Sequence, residues 1–346
     1  LKRLSTRRTV VVPAYTCPLV PLAIAHVGLQ IRSCDTRPDR FDFDADTLSA
    51  ACDADTLCVV PAHLGGSAVD MEPVLEIARR VGAYVIEDGA QSLGANWRGQ
   101  RVGTIGDIGF YSLARGKGLT LYEGGVLVAR DPEMRSRLKN TSDAMIAYRP
   151  VAEFIRFIQL FGYMIAYHPV GLSLTYGLQL RFWLSKGDPI RAVGDQASSS
   201  IPLHRVGAWR KSIGAAALER LRSAISENEK RGRRRAAEVS NIPGMKVIGE
   251  LTESSGTWPF LMVLFDTEEQ CDRALSQLWR AGLGVTRLFV HDLRGYPFLQ
   301  RIVPDTPTPN ARSLARRCLT ISNSPWVSDR DFLYIRDALE KVCRPR

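Results

Sequence analysis

The chain has little with which to bind a metal or staple a small fold. Its seven cysteines are odd in number, and no two form a C-x-x-C pair. Zinc-type spacing is therefore absent, no metal site is expected, and reduced, mostly buried thiols are the simplest reading. No apolar run approaches the roughly 18 uncharged residues of a membrane span. Internal repeats and low-complexity tracts are missing too, which sets aside solenoids and long disordered linkers. The first residue is Leu1 rather than methionine, and "LKRL" reads as the last turn of a helix that begins earlier, so a fragment or a processed chain is expected. The short apolar stretch that follows is not a secretory signal.

Acidic residues are also in deficit. Thirty-six Asp and Glu stand against 46 Lys and Arg, a formal net charge of +10 over 346 residues. Such an excess favours anionic partners without choosing among a phosphorylated small molecule, a nucleic acid and a membrane surface. A nucleic-acid site would add interleaved aromatics or a known module. The basic run Lys230, Arg231, Arg233, Arg234, Arg235 has neither. It reads as a solvated helical face, and no nucleic-acid partner is expected.

What is present is an alternation. "TVVVPAY", "QIRSCDT", "TLCVVPAHL" and "AYVIEDGAQ" are short β-branched runs separated by helical patterns, and "IGDIGFYSLA" and "GGVLVARD" continue the series. Strands alternating with helices imply an α/β fold with a mostly parallel sheet between helices. Ligands of such sheets bind beyond the carboxyl ends of the strands, where Tyr15, His63, Asp88 and the segment leading to Lys117 fall,. The division expected is a large domain over 1–235 and a smaller C-terminal α/β domain over 236–346. From 148 to 184 an apolar, aromatic-rich insertion reads as two or three helices. It packs on the body or on a second subunit, or forms a membrane-surface or partner-docking face. "GDQASSSIP" reads as a loop, and "VGAWRKSIGAAALERLRSAISENEKRGRRRAAEV" as one long helix.

Two residues carry the chemistry. Asp88 closes a strand at the ligand end of the sheet, where it either caps the next helix or serves as a buried anion. Lys117 sits between Gly116 and Gly118, one strand later. A desolvated lysine can attack a carbonyl, and flanking glycines let backbone approach a flat ligand. Ser112 offers a hydroxyl to a phosphate, and Gln91 is placed to face the same site. An acid with a lysine is the pair that pyridoxal phosphate requires, the lysine for its aldehyde and the acid for its ring nitrogen.

Taken in order, "VVVPAYTC", "VVPAHLGG", "YVIEDGAQSLGA", "GDIGFYSLARGKGLTLYEGG" and "ARSLARRCLTISNSPWVS" resemble the DegT–StrS family of sugar aminotransferases, fold-type I pyridoxal-phosphate enzymes. The resemblance is dense from Thr9 to Asp143 and looser from Arg205 onward. It implies that Lys117 is the Schiff-base lysine and proton carrier. Asp88 then partners the pyridine nitrogen, Gln91 lies near the ring hydroxyl, Ser112 binds phosphate, and Tyr15 lies near the ring. His63 lies in a family motif without an assigned role. Three departures stand out. The family's phosphate-binding Gly-Thr or Gly-Ser turn would precede the first strand and is not in the sequence given. Cys17 replaces an aromatic. Leu203 replaces an asparagine ahead of Arg205, in a stretch that a neighbouring subunit usually contributes. The implied activity is transfer of an amino group, from glutamate, to a nucleotide-linked keto sugar. The implied setting is a cytoplasmic homodimer, peripheral at the inner membrane face if 148–184 touches lipid. A catalytically idle scaffold and a sugar dehydratase are the competing readings, and the latter would carry histidine in place of Lys117.

Overall fold

The computed structural model describes residues 1–196 and 203–344. The expected "GDQASSSIP" loop therefore falls largely outside the described residues. The first unit is a six-stranded sheet in the order β2-β1-β3-β4-β7-β8. Its members are β1 (Thr9–Pro13), β2 (Gln30–Cys34), β3 (Thr56–Val59), β4 (Tyr84–Asp88), β7 (Ile108–Ser112) and β8 (Gly125–Val128). All pairings are parallel except β7 with β8. Helices α1 (Leu19–His26), α2 (Ala45–Ala51) and α3 (Glu72–Val81) make the crossovers. Every residue of β1 is buried, because apolar cores lie on both sheet faces,. Val11 and Val59 face a core with Leu48, Val74 and Ile77. Val10, Val12 and Leu57 face another with Leu293, Tyr296 and Leu299. Edge strand β8 is largely exposed. The helix before Gly82 ends there because Gly82 takes a left-handed conformation, φ 66°, that caps it,.

Beyond the sheet come α4 (Pro132–Met145) and the apolar segment. That segment folds as α5 (Pro150–Ala166), α6 (Pro169–Leu172), a π turn at Ser173–Gly177, α7 (Leu178–Ser185) and α8 (Pro189–Val193). Pro169 breaks it, as the pattern indicated. No helix among the described residues is long and apolar enough to cross a membrane. The long helix α9 runs from Ala208 to Ser240. Residue 235, where the sequence suggests a domain division, lies inside it.

The C-terminal unit is a four-stranded antiparallel sheet, β12-β13-β11-β9, under α10 (Glu268–Leu278) and α12 (Asp329–Cys343). Its strands are β9 (Met245–Val247), β11 (Phe260–Phe265), β12 (Val285–Thr286) and β13 (Cys318–Ser322). A capping box opens each of α10 and α12,. Sequence patterning missed α11 (Pro309–Arg317) and β13, which it read only as part of a motif. The units share structure. β10 (Ser254–Ser255) pairs with β5 (Asn96–Trp97), which pairs with β6 (Gln100–Arg101). Met262 and Leu264 of β11 reach into the core beneath the first sheet.

Candidate active site

The site lies where β4 and β7 end. These strands are parallel neighbours, with Asp88 opposite Phe110, so Asp88 and the segment after Ser112 emerge on the same edge. The Asp88 backbone is locked by hydrogen bonds from its N–H to the Pro61 carbonyl and from the His63 N–H to its own carbonyl. Its carboxylate is buried and accepts from the Ala90 N–H at 3.0 Å, the one hydrogen bond it makes among the described residues. Burial pushes its pKa up, against the opposing pull of the Ala90 N–H, Lys117 and His63.

Lys117 projects from the loop joining β7 to β8. The loop closes on itself through Leu113 N–H to the Gly124 carbonyl, Leu121 N–H to Leu113 and Arg115 N–H to Tyr122. Leu113, Leu119 and Leu121 turn inward onto Leu160 of α5. Lys117 itself is half-buried. Burial lowers its pKa, while Cys17 and Asp88 pull it back up. Asp88, Lys117 and Cys17 thus share one electrostatic neighbourhood. The Cys17 thiol is pushed up to about 11, first by burial. Of the two glycines, Gly116 is required by the turn, with φ +76°,. A Cβ at either position would meet no atom within 4 Å.

The other sequence-selected residues divide. Ser112 lies on β7, its hydroxyl accepting from the Ala114 N–H at 3.3 Å. Gln91 turns its Oε1 to the Gly65 N–H at 2.9 Å, which ties the site to the Gly65–Gly66 turn. Tyr15 is a core side chain, 2% exposed, edge-on to Phe289 at 5.5 Å. Its ring is committed to that packing. Arg205 is engaged within the chain, donating to the Ile146 and Asp143 carbonyls and pairing with the Asp143 carboxylate at 3.2 Å. His63 is buried below the sheet edge. Its Nδ1 accepts from the Val69 N–H at 3.2 Å, which leaves Nε2 to face Glu87 at 3.2 Å.

Two supports were not singled out by sequence reading. Glu87, fully buried, accepts from the N–H groups of Gly103, Ile105 and Gly106 at 2.6–2.7 Å. Burial alone would raise its pKa, but His63 and these donors outweigh that and hold it below the ordinary value. Arg210 of α9 is wholly buried. It grips Glu153 of α5 with two bonds, 2.8 and 2.5 Å, and donates to the Leu121 and Glu123 carbonyls of the lysine loop. Gly207 lies against Glu153, and a Cβ there would sit 2.7 Å from it. A lone arginine in a basic helix gave no hint of this. The glycines at 103 and 106, after a strand ending in two acids, were the available hint for Glu87.

Comparison with known proteins finds likenesses in the first unit and in the fold. Residues 2–154 match the model of the DegT/DnrJ/EryC1/StrS aminotransferase family. The resemblance read from the motifs is the one this match returns. GDP-perosamine synthase of Caulobacter vibrioides is 34% identical over 130 residues, 38% of this chain and 35% of that protein. A dTDP-3-amino-3,4,6-trideoxy-alpha-D-glucose transaminase of Streptomyces venezuelae is 33% identical over 131 residues, again 35% of its length. The match thus spans about a third of these curated relatives. The fold likeness is wider. Aminotransferase TlmJ of Streptoalloteichus hindustanus superposes with a TM-score of 0.73 over 97% of this chain and 79% of that one, at 20% identity. DesI, solved in the presence of its TDP-sugar product, gives 0.73 over 99% and 76%. The α/β architecture with a mostly parallel central sheet is that of these enzymes.

Proposed function

We propose that the protein is a pyridoxal-phosphate-dependent aminotransferase that passes an amino group from an amino acid, glutamate in the simplest case, to a nucleotide-linked keto sugar. The observation that carries this reading is the pairing of a buried, under-bonded carboxylate with a desolvated lysine at one sheet edge. These residues fit the cofactor. Asp88 has one hydrogen bond and an electrostatic need for a cation, which a protonated ring nitrogen supplies,. When bound, the cofactor provides an electron sink for the bonds being broken at the donor's α-carbon.

The residues do the rest. Burial raises the fraction of Lys117 present as free amine, the form that attacks a carbonyl and then carries a proton on Nζ,. The Asp88 carboxylate keeps the ring-nitrogen proton in place. The Ser112 hydroxyl serves the phosphate, and Gln91 lines the same edge. A cavity of about 260 Å³ bordered by His291, Asp292, Arg294, Arg312 and Arg316 is predominantly cationic and suits the acceptor's diphosphate. It adjoins the first sheet, since Leu293 N–H donates to the Ala14 carbonyl. Assembly as a homodimer in the cytoplasm completes the reading.

The test is spectroscopic. With pyridoxal phosphate, the protein should gain a visible absorption band that glutamate bleaches. Lys117→Ala should lack the band while keeping its far-UV circular dichroism. A wild-type protein that binds the cofactor without a lysine-dependent band would overturn the reading.

A further inference from the structure

Helix α5 is apolar on two faces, and only one is used. Its inner side carries Leu160, buried against the lysine loop, Phe157, edge-on to Trp209 at 5.3 Å, and Tyr163, edge-on to Tyr122 of that loop at 6.3 Å. Its outer side carries Val151, Phe154, Ile158, Phe161 and Ile165 at helical spacing, each between 51% and 73% exposed. The helix after Pro169 repeats the pattern. Val170, Leu174, Leu178 and Phe182 recur every fourth residue, all more than half exposed. A helix apolar all round is normally covered on all sides.

Charge identifies what covers it. Between Asp143 and Asp188 the single acidic residue is Glu153, and it is turned inward onto Arg210. The exposed stripes therefore hold no negative charge. Basic residues fringe them: Arg149 and Lys186 are exposed, and Arg191 is half-exposed, with Asp188 as its partner. Two copies meeting through such a face would bring like charges together around the apolar centre. An anionic surface would not. Because neither helix is long enough to cross a bilayer, the fitting geometry is one lying in the headgroup plane,.

We propose that the outer faces of α5 and of the helix Pro169–Ser185 dock onto an anionic lipid surface. The Glu153–Arg210 pair and the Arg156–Glu123 contact bolt α5 to the lysine loop, so the loop is held close to that surface. The proposal is independent of the transaminase reading, since lipid docking needs no cofactor.

Sedimentation of the full chain with phosphatidylcholine vesicles, with and without phosphatidylglycerol, tests it. Binding to the anionic vesicles should exceed binding to neutral ones and weaken as salt rises. Phe161→Ser alone should lower the partition coefficient roughly tenfold, the scale of losing one buried aromatic side chain. The triple change Phe154→Ser, Ile158→Ser, Phe161→Ser should abolish sedimentation while circular dichroism stays native, as expected for exposed positions. Arg149→Gln should reduce binding to anionic vesicles about fivefold and leave neutral ones unchanged. A wild-type chain that remains in the supernatant with both vesicle types overturns the proposal. So does a triple variant that sediments like wild type. A concentration-dependent dimer that the same substitutions dissociate, without vesicle binding, would assign the face to a second copy instead.

Discussion

Glu87 and Asp88 are adjacent, both buried, and point to opposite sides of the end of β4, yet their surroundings could hardly differ more. On the Glu87 side, three N–H groups and His63 close around the carboxylate. On the Asp88 side one N–H is offered, and the remaining interactions come from Lys117 and His63 across space. The first carboxylate is held ionised by a complete shell. The second is held short of one. The difference separates a carboxylate whose partners are all supplied by the chain from one left open to a further partner, and no inspection of "IED" alone would make it,.

The comparison can be broken most severely at Glu87. Glu87→Ala leaves three buried N–H donors and an imidazole without their acceptor. Urea titration should show a loss of about 4 kcal/mol, the cost of breaking a buried charged network. The lysine loop is the next target. Arg210→Ala leaves Glu153 buried without its partner, for a loss of about 3 kcal/mol. Arg210→Lys should recover only part of it, because an ammonium cannot replace the two-pronged grip. Equal stability of Arg210→Ala and wild type would show that the loop stands without α9.

Acid titration sharpens the contrast, because the two groups carry opposite signs. Glu87 has a depressed folded-state pKa. Its contribution is present above the unfolded value of about 4.3 and is lost as pH falls through the folded one. Asp88 has a raised folded-state pKa, so its contribution is present below about 3.9 and lost as pH rises through the folded value. At neutral pH, without a cation, ionised Asp88 therefore costs stability. Asp88→Asn should raise the melting temperature of the cofactor-free chain, by about 1 kcal/mol in free-energy terms, while abolishing the cofactor's spectral response. A lowered melting temperature would show that Asp88 is a structural cap. The smallest effects lie beside Lys117. Gly116→Ala should cost about 1 kcal/mol for its left-handed backbone. Gly118→Ala, with open space and ordinary φ, should change stability by less than about 0.5 kcal/mol,.

The parallel sheet and its order of elements were legible because strands buried on both faces read as unbroken β-branched runs. The lysine loop was legible through Asp88, one strand earlier. Tyr15 supports two readings, because a tyrosine at a strand's ligand end is equally a good core residue, and Phe289, 274 positions away, packs on it. Glu87, Arg210 and Glu153 escaped for a related reason: their partners are backbone groups or lie 57 or more residues away for Arg210, and side-chain spacing carries no trace of either. The two-residue strands β5, β6 and β10 are too short to leave a period.

Arg210 also sets an order of events. It bonds the carbonyl of Leu121, a residue 89 positions behind it. During synthesis the lysine loop is made long before the side chain that fastens it, and the whole apolar segment emerges in between. The loop that carries Lys117 therefore cannot be fastened in this way until the start of α9 has been made. A chain interrupted before Ala208 would lack that fastening and, with it, the later residues that cover the first sheet.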